Sequence, residues 1–208
     1  MPHPWFSVQL LHPQQEACDA FEARFDGLPN TRVVQGRYEA LADHDCFVTA
    51  GNAYGLMTAG IDAAVIHVLG EGLMRQVQEH IMDVWFGEQP VGTAFVVATG
   101  NDARPYLCHA PTMRTPGSIR KTSHVYQATL AAFIAVHRHN MAHDREIRTV
   151  VLPAMGTGYG GMAFDEAARQ MAVAYAHYLR PPGRPTWDTV VRREKAICYD
   201  GPTKVIDR

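Results

Sequence analysis

The apolar run Cys46-Phe47-Val48-Thr49-Ala50 leads straight into the loop Gly51 to Asp62, and that loop into Ala63-Ala64-Val65-Ile66-His67-Val68-Leu69. The first run reads as a buried strand and the last as a helix. So a strand feeds a glycine-containing loop, and the loop opens a helix. Glycine lets the backbone take turns that side chains forbid and lets a bound group approach closely. A helix start offers unpaired N–H groups and partial positive charge, which suits an anion such as phosphate. Asn52 and Asp62 bracket this loop with an amide and a carboxylate.

The same alternation runs through the rest of the chain. Residues 6–11 read as a first strand, 14–25 as a helix with Ala17, Cys18, Phe21 and Phe25 on one face, and 31–35 as a second strand. Residues 71–86 read as an amphipathic helix carrying Leu73, Val77, Ile81 and Val84. Strands follow at 93–98, 106–110 and 148–152, with a long helix over 122–139 that carries Val125, Leu130, Phe133 and Ile134. A further helix spans 164–178, and Pro181-Pro182-Gly183-Arg184-Pro185 ends it. The tail reads either way: Trp187, Val190 and Val191 suggest a short helix, Ala196-Ile197-Cys198-Tyr199 a strand. Strand and helix alternate throughout, which predicts a three-layer α/β/α domain with helices on both faces of a mixed sheet. Ligands in such folds bind beyond the carboxyl ends of the strands.

Length and charge narrow the function classes. At 208 residues the chain fits one domain, 1–208, with a core over about 31–180, an N-terminal strand and helix, and an extension over 181–208. A net charge of −2 gives no strong nucleic-acid signal. Cys18, Cys46, Cys108 and Cys198 are widely spaced in apolar surroundings, which predicts reduced buried thiols and a cytoplasmic protein. No apolar run is long enough to span a membrane, and Met1-Pro2-His3-Pro4-Trp5 does not open like a signal peptide.

A second glycine loop, Ala154-Met155-Gly156-Thr157-Gly158-Tyr159-Gly160-Gly161, also lies between a strand and a helix. Its 156–161 span fits GxGxxG, but it sits late in the chain and is followed by a long helix and a proline break. A dinucleotide fingerprint belongs on the first strand of a unit, with an acidic residue on the next one. Neither loop holds the Gly-Lys-Ser/Thr of a Walker A loop. Two separate glycine loops suggest a diphosphate gripped from two sides by backbone amides. A plain tight turn before a helix is the alternative for each. Asn52 is equally a turn former and Asp62 equally a complement to a helix dipole.

His67 lies on an apolar helix and reads as a packed histidine. His109 adjoins Cys108 without a third ligand, so no metal is expected. Arg114 and His124 fit either a pocket mouth or the solvated surface, and Arg192-Arg193-Glu194-Lys195 reads as a solvated helix face.

These residues together resemble a macro domain, the ADP-ribose-binding fold, over roughly residues 31–180. The hydrolases of that family carry an Asn, nine residues ending in a glycine-rich turn, and an Asp at a helix start, as Asn52, Ala59-Gly60-Ile61-Asp62 and the following helix do here. Pro90 to Ala94, Leu152 to Gly161 and Phe164 to Ala168 resemble further family segments. Arg37, within Gly36-Arg37-Tyr38-Glu39, stands where many members carry an aspartate that reads the adenine amino group. The first loop has Met57-Thr58-Ala59-Gly60 in place of a longer glycine run, and Ala110 to Arg114 resembles a divergent bacterial subgroup.

The resemblance implies binding of ADP-ribose or an ADP-ribosylated protein, with no cofactor. Asn52 would hydrogen-bond the ribose distal to adenine. Asp62 would position or activate water at its anomeric carbon, or contact the diphosphate side. Gly51, Ala59, Gly60, Ile61, Met155, Gly156, Thr157, Gly158, Tyr159, Gly160 and Gly161 would hold the ligand, with Tyr159 against the distal ribose unless it is only a loop aromatic. The reading is a hydrolase that removes ADP-ribose from a protein or small conjugate. The alternative is a reader that binds without turnover, and beyond that an α/β domain whose loops are only turns.

Overall fold

Alternate residues of a strand face opposite ways, and in this chain both faces are apolar. Among the central strands, Val8, Leu10, Cys46, Val48, Cys108, Val150 and Leu152 pack into one layer, while Leu11, Phe47, Leu107 and Val151 pack into the other. Such strands need helices on both sides. The computed structural model describes residues 6–41 and 43–197 and supplies those helices. Met1 to Trp5, Ala42 and the tail from Cys198, including the Cys198-Tyr199 end of the alternative tail strand, lie outside the described residues.

In chain order the elements are β1 (Ser7–His12), α1 (Gln15–Phe25), β2 (Thr31–Gln35), a 3-10 turn (Tyr38–Ala40), β3 (Cys46–Thr49), α2 (Gly60–Leu69) and α3 (Glu71–Trp85). There follow β4 (Phe95–Ala98), β5 (Tyr106–His109), α4 (His124–Ala142), β6 (Thr149–Pro153), α5 (Phe164–Leu179) and α6 (Trp187–Ile197). The six strands form one sheet in the order β2-β1-β6-β3-β5-β4. Every neighbouring pair is parallel except β4 with β5. The sheet is therefore mixed, as the sequence predicts, and β1 lies inside it between β2 and β6.

One core joins α1, α4 and α5 to the sheet through Phe21, Phe133, Met171 and Tyr175. The other joins α2 and α3 through Val65, Leu73, Val77 and Ile81. Each fully buried aliphatic side chain contributes roughly 1.5–3 kcal/mol.

The stripe of α3 runs Leu73, Val77, Ile81 and then Trp85, a strict four-residue step. Val84 falls off that stripe and is 47% exposed, contrary to expectation. Ile134 likewise sits at the solvent edge of α4, 38% exposed. The tail is helical through Ile197, and Arg169 ties it down by donating to the carbonyls of Ala196 and Ile197. Arg193 on that helix is half-buried and its guanidinium reaches the Tyr126 hydroxyl, so this stretch is not wholly a solvated face.

The register positions the site. β3 and β6 are neighbours, with Cys46 opposite Val150 and Phe47 opposite Val151. Both run the same way, so the two glycine loops leave the sheet side by side at its carboxyl end.

Candidate functional site

A cleft of about 610 Å³ opens at that end of the sheet, within the range that holds a small-molecule ligand. Gly51, Asn52, Ala59, Gly60, Ile61 and Asp62 line it from the first loop and helix start. Ala154, Gly156, Thr157, Gly158, Tyr159 and Gly160 line it from the second. Met113 and Pro116 form a wall from the segment after β5, and His12, Arg37 and Tyr38 close the far end.

The expected site residues converge with two exceptions. Met155 points into the core, where its sulfur accepts the Thr129 hydroxyl. Gly161 faces Arg120, whose Nε donates to the Gly161 carbonyl at 2.6 Å. Neither lines the cleft. β6 ends at Pro153 and strand alternation ends with it, so Met155 turns into the same core layer as Val150 and Leu152.

Two peptide segments supply amides. No side chain caps α2 at Ala59, so the first N–H groups of this helix lack intrahelical partners and open on the cleft. In the second loop the Thr157 N–H bonds the Ala154 carbonyl and the Gly161 N–H the Gly158 carbonyl. Among the described residues the N–H groups of Gly158, Tyr159 and Gly160 find no protein acceptor. At Gly160 a side chain would strike the Gly156 carbonyl, and Ile119 Cγ1 lies 2.8 Å from the same point. Ile119 braces this turn by donating its N–H to the Gly160 carbonyl at 2.9 Å. Ile119 and Arg120 carry no motif that sequence reasoning could seize.

Asn52 is engaged in its own loop. Its Oδ1 accepts the N–H groups of Tyr54 (3.1 Å) and Leu56 (3.3 Å), and its Nδ2 donates to the Leu56 carbonyl at 2.9 Å. The turn-forming reading of Asn52 thus describes the geometry, while the residue still borders the cleft.

Asp62 lies in the first turn of α2, is only 7% exposed, and its Oδ1 has no hydrogen-bond partner among the described residues. Burial pushes its carboxyl up to about 7. A helix N-terminus favours a carboxylate by ~0.3–1 kcal/mol. Desolvation of this size is worth about 4 kcal/mol, so burial wins and the carboxyl titrates near neutrality.

Beneath Asp62 lies a polar cluster that no sequence motif announced. His109 is fully buried, and its Nδ1 sits 2.6 Å from Gln89 Oε1. Burial first, and the neighbouring His80 second, push the imidazole down to about 3, so it is neutral. His109 Nε2 lies 2.6 Å from the point where a Gly51 side chain would begin, and Asp62 Oδ2 lies 3.5 Å from that point. Only glycine leaves room there.

The remaining candidates separate cleanly. His67 is exposed, not packed, because α2 turns Val65 inward and position 67 outward. Arg114 is a surface residue whose guanidinium grips Glu88 through two bonds of 2.6 and 2.9 Å, and Tyr54 donates to the same carboxylate. His124 Nδ1 lies 3.1 Å from the Thr112 carbonyl and does not line the cleft. Tyr159 stands at the rim, 67% exposed. Cys18, Cys46 and Cys108 are buried free thiols. Among the described residues no three His, Cys, Asp or Glu side chains gather where they could hold a metal, and no helix is long and apolar enough to cross a membrane.

Comparison with known proteins agrees with this architecture. The family model described as "Macro domain" matches residues 48–171. An uncharacterized protein of Aquifex aeolicus is 31% identical over 140 residues, covering 67% of this chain and 77% of its own length. The macrodomain of Mycobacterium tuberculosis DarG superposes with a TM-score of 0.57 at 22% identity, covering 70% of this chain and 89% of that one. A mutant of the Oceanobacillus iheyensis macrodomain with ADPR gives a TM-score of 0.54 at 18% identity, covering 67% and 73%. At these identities the solved structures establish the shared fold.

Proposed function

The chain belongs to the macro domain family, and on that premise we propose that it binds ADP-ribose and hydrolyses an ADP-ribosyl linkage to a protein or small conjugate. The family binds ADP-ribose, and one of the structural neighbours was solved with it. What supports turnover is Asp62. A carboxyl whose proton leaves near pH 7 stands on the wall of the same cleft that both amide segments line. A general base works best when it titrates close to the working pH.

The diphosphate would lie between the α2 N-terminus and the amides of Gly158 to Gly160, which neutralise it without lysine. Asp62 would then take a proton from water as the water oxygen bonds to the anomeric carbon. The bond from that carbon to the leaving oxygen breaks in the same step, and in an ester-linked substrate the electron pair departs on a carboxylate that needs no proton. Arg37 and the exposed end of the cleft would meet the nucleobase. The whole chain would act as one domain, and we place it in the cytoplasm with its three described thiols reduced.

Asp62→Asn tests this reading. It should abolish release of ADP-ribose from an ester-linked substrate while changing ADP-ribose affinity less than tenfold. Undiminished turnover by the variant would remove Asp62 from the mechanism.

A specific observation favours the second reading, a reader without turnover. The Asn52 amide is committed to Tyr54 and Leu56, so a ribose hydroxyl must compete for it. Tight calorimetric binding with no hydrolysis of any ADP-ribosylated substrate would decide for it.

A further inference from the structure

His109 has no part in the reading above, yet the fold has built a place for it. Thr49 and His109 are register partners on β3 and β5, directly under the loop that begins at Gly51. Four side-chain atoms here are buried without partners among the described residues: Thr49 Oγ1, Gln89 Nε2, His109 Nε2 and Asp62 Oδ1. An unpaired buried polar atom costs roughly 1–3 kcal/mol, so four in one spot mark a cluster kept for some purpose.

The hydrogen bond to Gln89 selects the tautomer. Gln89 Oε1 can only accept, so at 2.6 Å the imidazole proton sits on Nδ1. That leaves Nε2 with a bare lone pair. Nε2 faces Gly51, where the missing side chain leaves the way open to the Asp62 carboxyl. A lone pair attracts a protonated carboxyl, directly or through one water, and repels a carboxylate.

We propose that His109, locked by Gln89 as its Nδ1–H form, is the positioning residue for Asp62, accepting a hydrogen bond from the protonated acid, directly or through one water, and so making Asp62 a stronger base. Resting on the hydrolase reading, the step then balances simply. The proton that Asp62 removes from water stays on Asp62 and is held by the His109 Nε2 lone pair, while the imidazole remains neutral throughout. The titratable groups that face this pair are few. His80 on α3 acts on His109, with Phe95 of β4 between the two rings, and Asp83 acts in turn on His80.

The test reads the proton positions in the whole ligand-free protein. Histidine ¹⁵N shifts, assigned by the loss of one pattern in His109→Gln, should show Nδ1 protonated and Nε2 bare from pH 5 to 8. The Asp62 ¹³C carboxyl shift, assigned with Asp62→Asn, should titrate near 7. Gln89→Met frees the tautomer without emptying the core. Nε2–H can then donate to the carboxylate, and the Asp62 midpoint should fall by about one pH unit, to a tenfold higher proton concentration. A proton on Nε2 in the unaltered protein overturns the proposal, as does an unmoved Asp62 midpoint in Gln89→Met. Neither readout needs turnover. A protein that never hydrolyses but shows both results keeps the His109–Asp62 linkage and loses the hydrolase reading. For a protein that does hydrolyse, the acid limb of kcat/KM should move with the same midpoint.

Discussion

Asp62 Oδ2 and His109 Nε2 approach a single point, the vacant side-chain position of Gly51, at 3.5 and 2.6 Å. Filling that point tests how tightly the pair is held. In Gly51→Ala the new methyl group meets a ring that is buried and tied to Gln89, so it cannot swing aside. Overpacking of this kind costs roughly 1–3 kcal/mol. Urea unfolding should show a lower midpoint with an unchanged slope. A midpoint within error of the unaltered protein would mean that His109 is free to move.

Asp62 and His109 also pull stability in opposite directions with pH. The folded Asp62 carboxyl titrates near 7, above the ordinary value of 3.8. Between those values the folded chain holds a proton that the unfolded chain has lost, so stability from this group falls as pH rises. His109 titrates near 3 in the fold, below its ordinary 6.5. Between those values the unfolded chain holds the extra proton, so stability from this group rises with pH. Asp62→Asn removes only the first effect. Its stability relative to the unaltered protein should therefore climb by about 1.4 kcal/mol per pH unit between pH 4 and 7. Unfolding curves at four pH values measure that slope, and a flat difference would show that Asp62 is not desolvated.

The second loop offers a matched pair of substitutions. A methyl group at Gly160 would strike the Gly156 carbonyl, whereas one at Gly158 meets nothing within 4 Å. Gly160→Ala should therefore unfold more easily by roughly 1–3 kcal/mol. Gly158→Ala should stay within about 0.5 kcal/mol, yet weaken ADP-ribose binding at least fivefold by crowding the open N–H groups. Calorimetry of the folded Gly158→Ala protein separates cradle from scaffold. Wild-type affinity there would take the second loop out of the diphosphate site.

The architecture was legible because both signals behind it are local. The alternation of strands and helices, and two glycine loops at strand ends, need no knowledge of distant contacts. Convergence of the loops followed from β3 lying beside β6, a pairing that only topology reveals. The His109–Gln89–Asp62 cluster was illegible for the same reason: its members come from β5, the segment after α3, and α2. Nothing in the Cys108-His109 pair points to the buried Gln89 amide that holds the imidazole or to the missing Cβ at Gly51. The expectation of a packed His67 fails because α2, though rich in apolar residues, keeps a solvent-facing side. Met155 departs from expectation because a glycine-loop motif does not say which of its side chains turns into the core once the strand has ended.

Arg114 illustrates how a charge near a cleft can be already spent. Its two bonds to Glu88, and the Tyr54 hydroxyl on the same carboxylate, satisfy it on the surface. Solvent screens exposed pairs, and they contribute little to stability. Arg114→Ala should lower stability only slightly and leave ADP-ribose affinity within threefold. A tenfold loss in calorimetry would show that the pair opens to meet the ligand.

Arg37 sets the last expectation, because it lines the far end of the cleft where the family resemblance places an acidic reader of adenine. A guanidinium only donates hydrogen bonds, and so does the exocyclic amino group of adenine. Donor then faces donor, and Arg37 makes no hydrogen bond to that amino group. A base with a carbonyl in the same place, as in hypoxanthine, would instead accept from Arg37. The inosine analogue of ADP-ribose should thus bind at least as tightly as ADP-ribose itself. Arg37→Asp restores an acceptor and should reverse the order. One charged hydrogen bond of roughly 1.5–3 kcal/mol corresponds to at least tenfold in affinity. Competition calorimetry with both nucleotides on both proteins measures the reversal. If the preference between bases is the same in Arg37→Asp as in the unaltered chain, the nucleobase does not lie against Arg37.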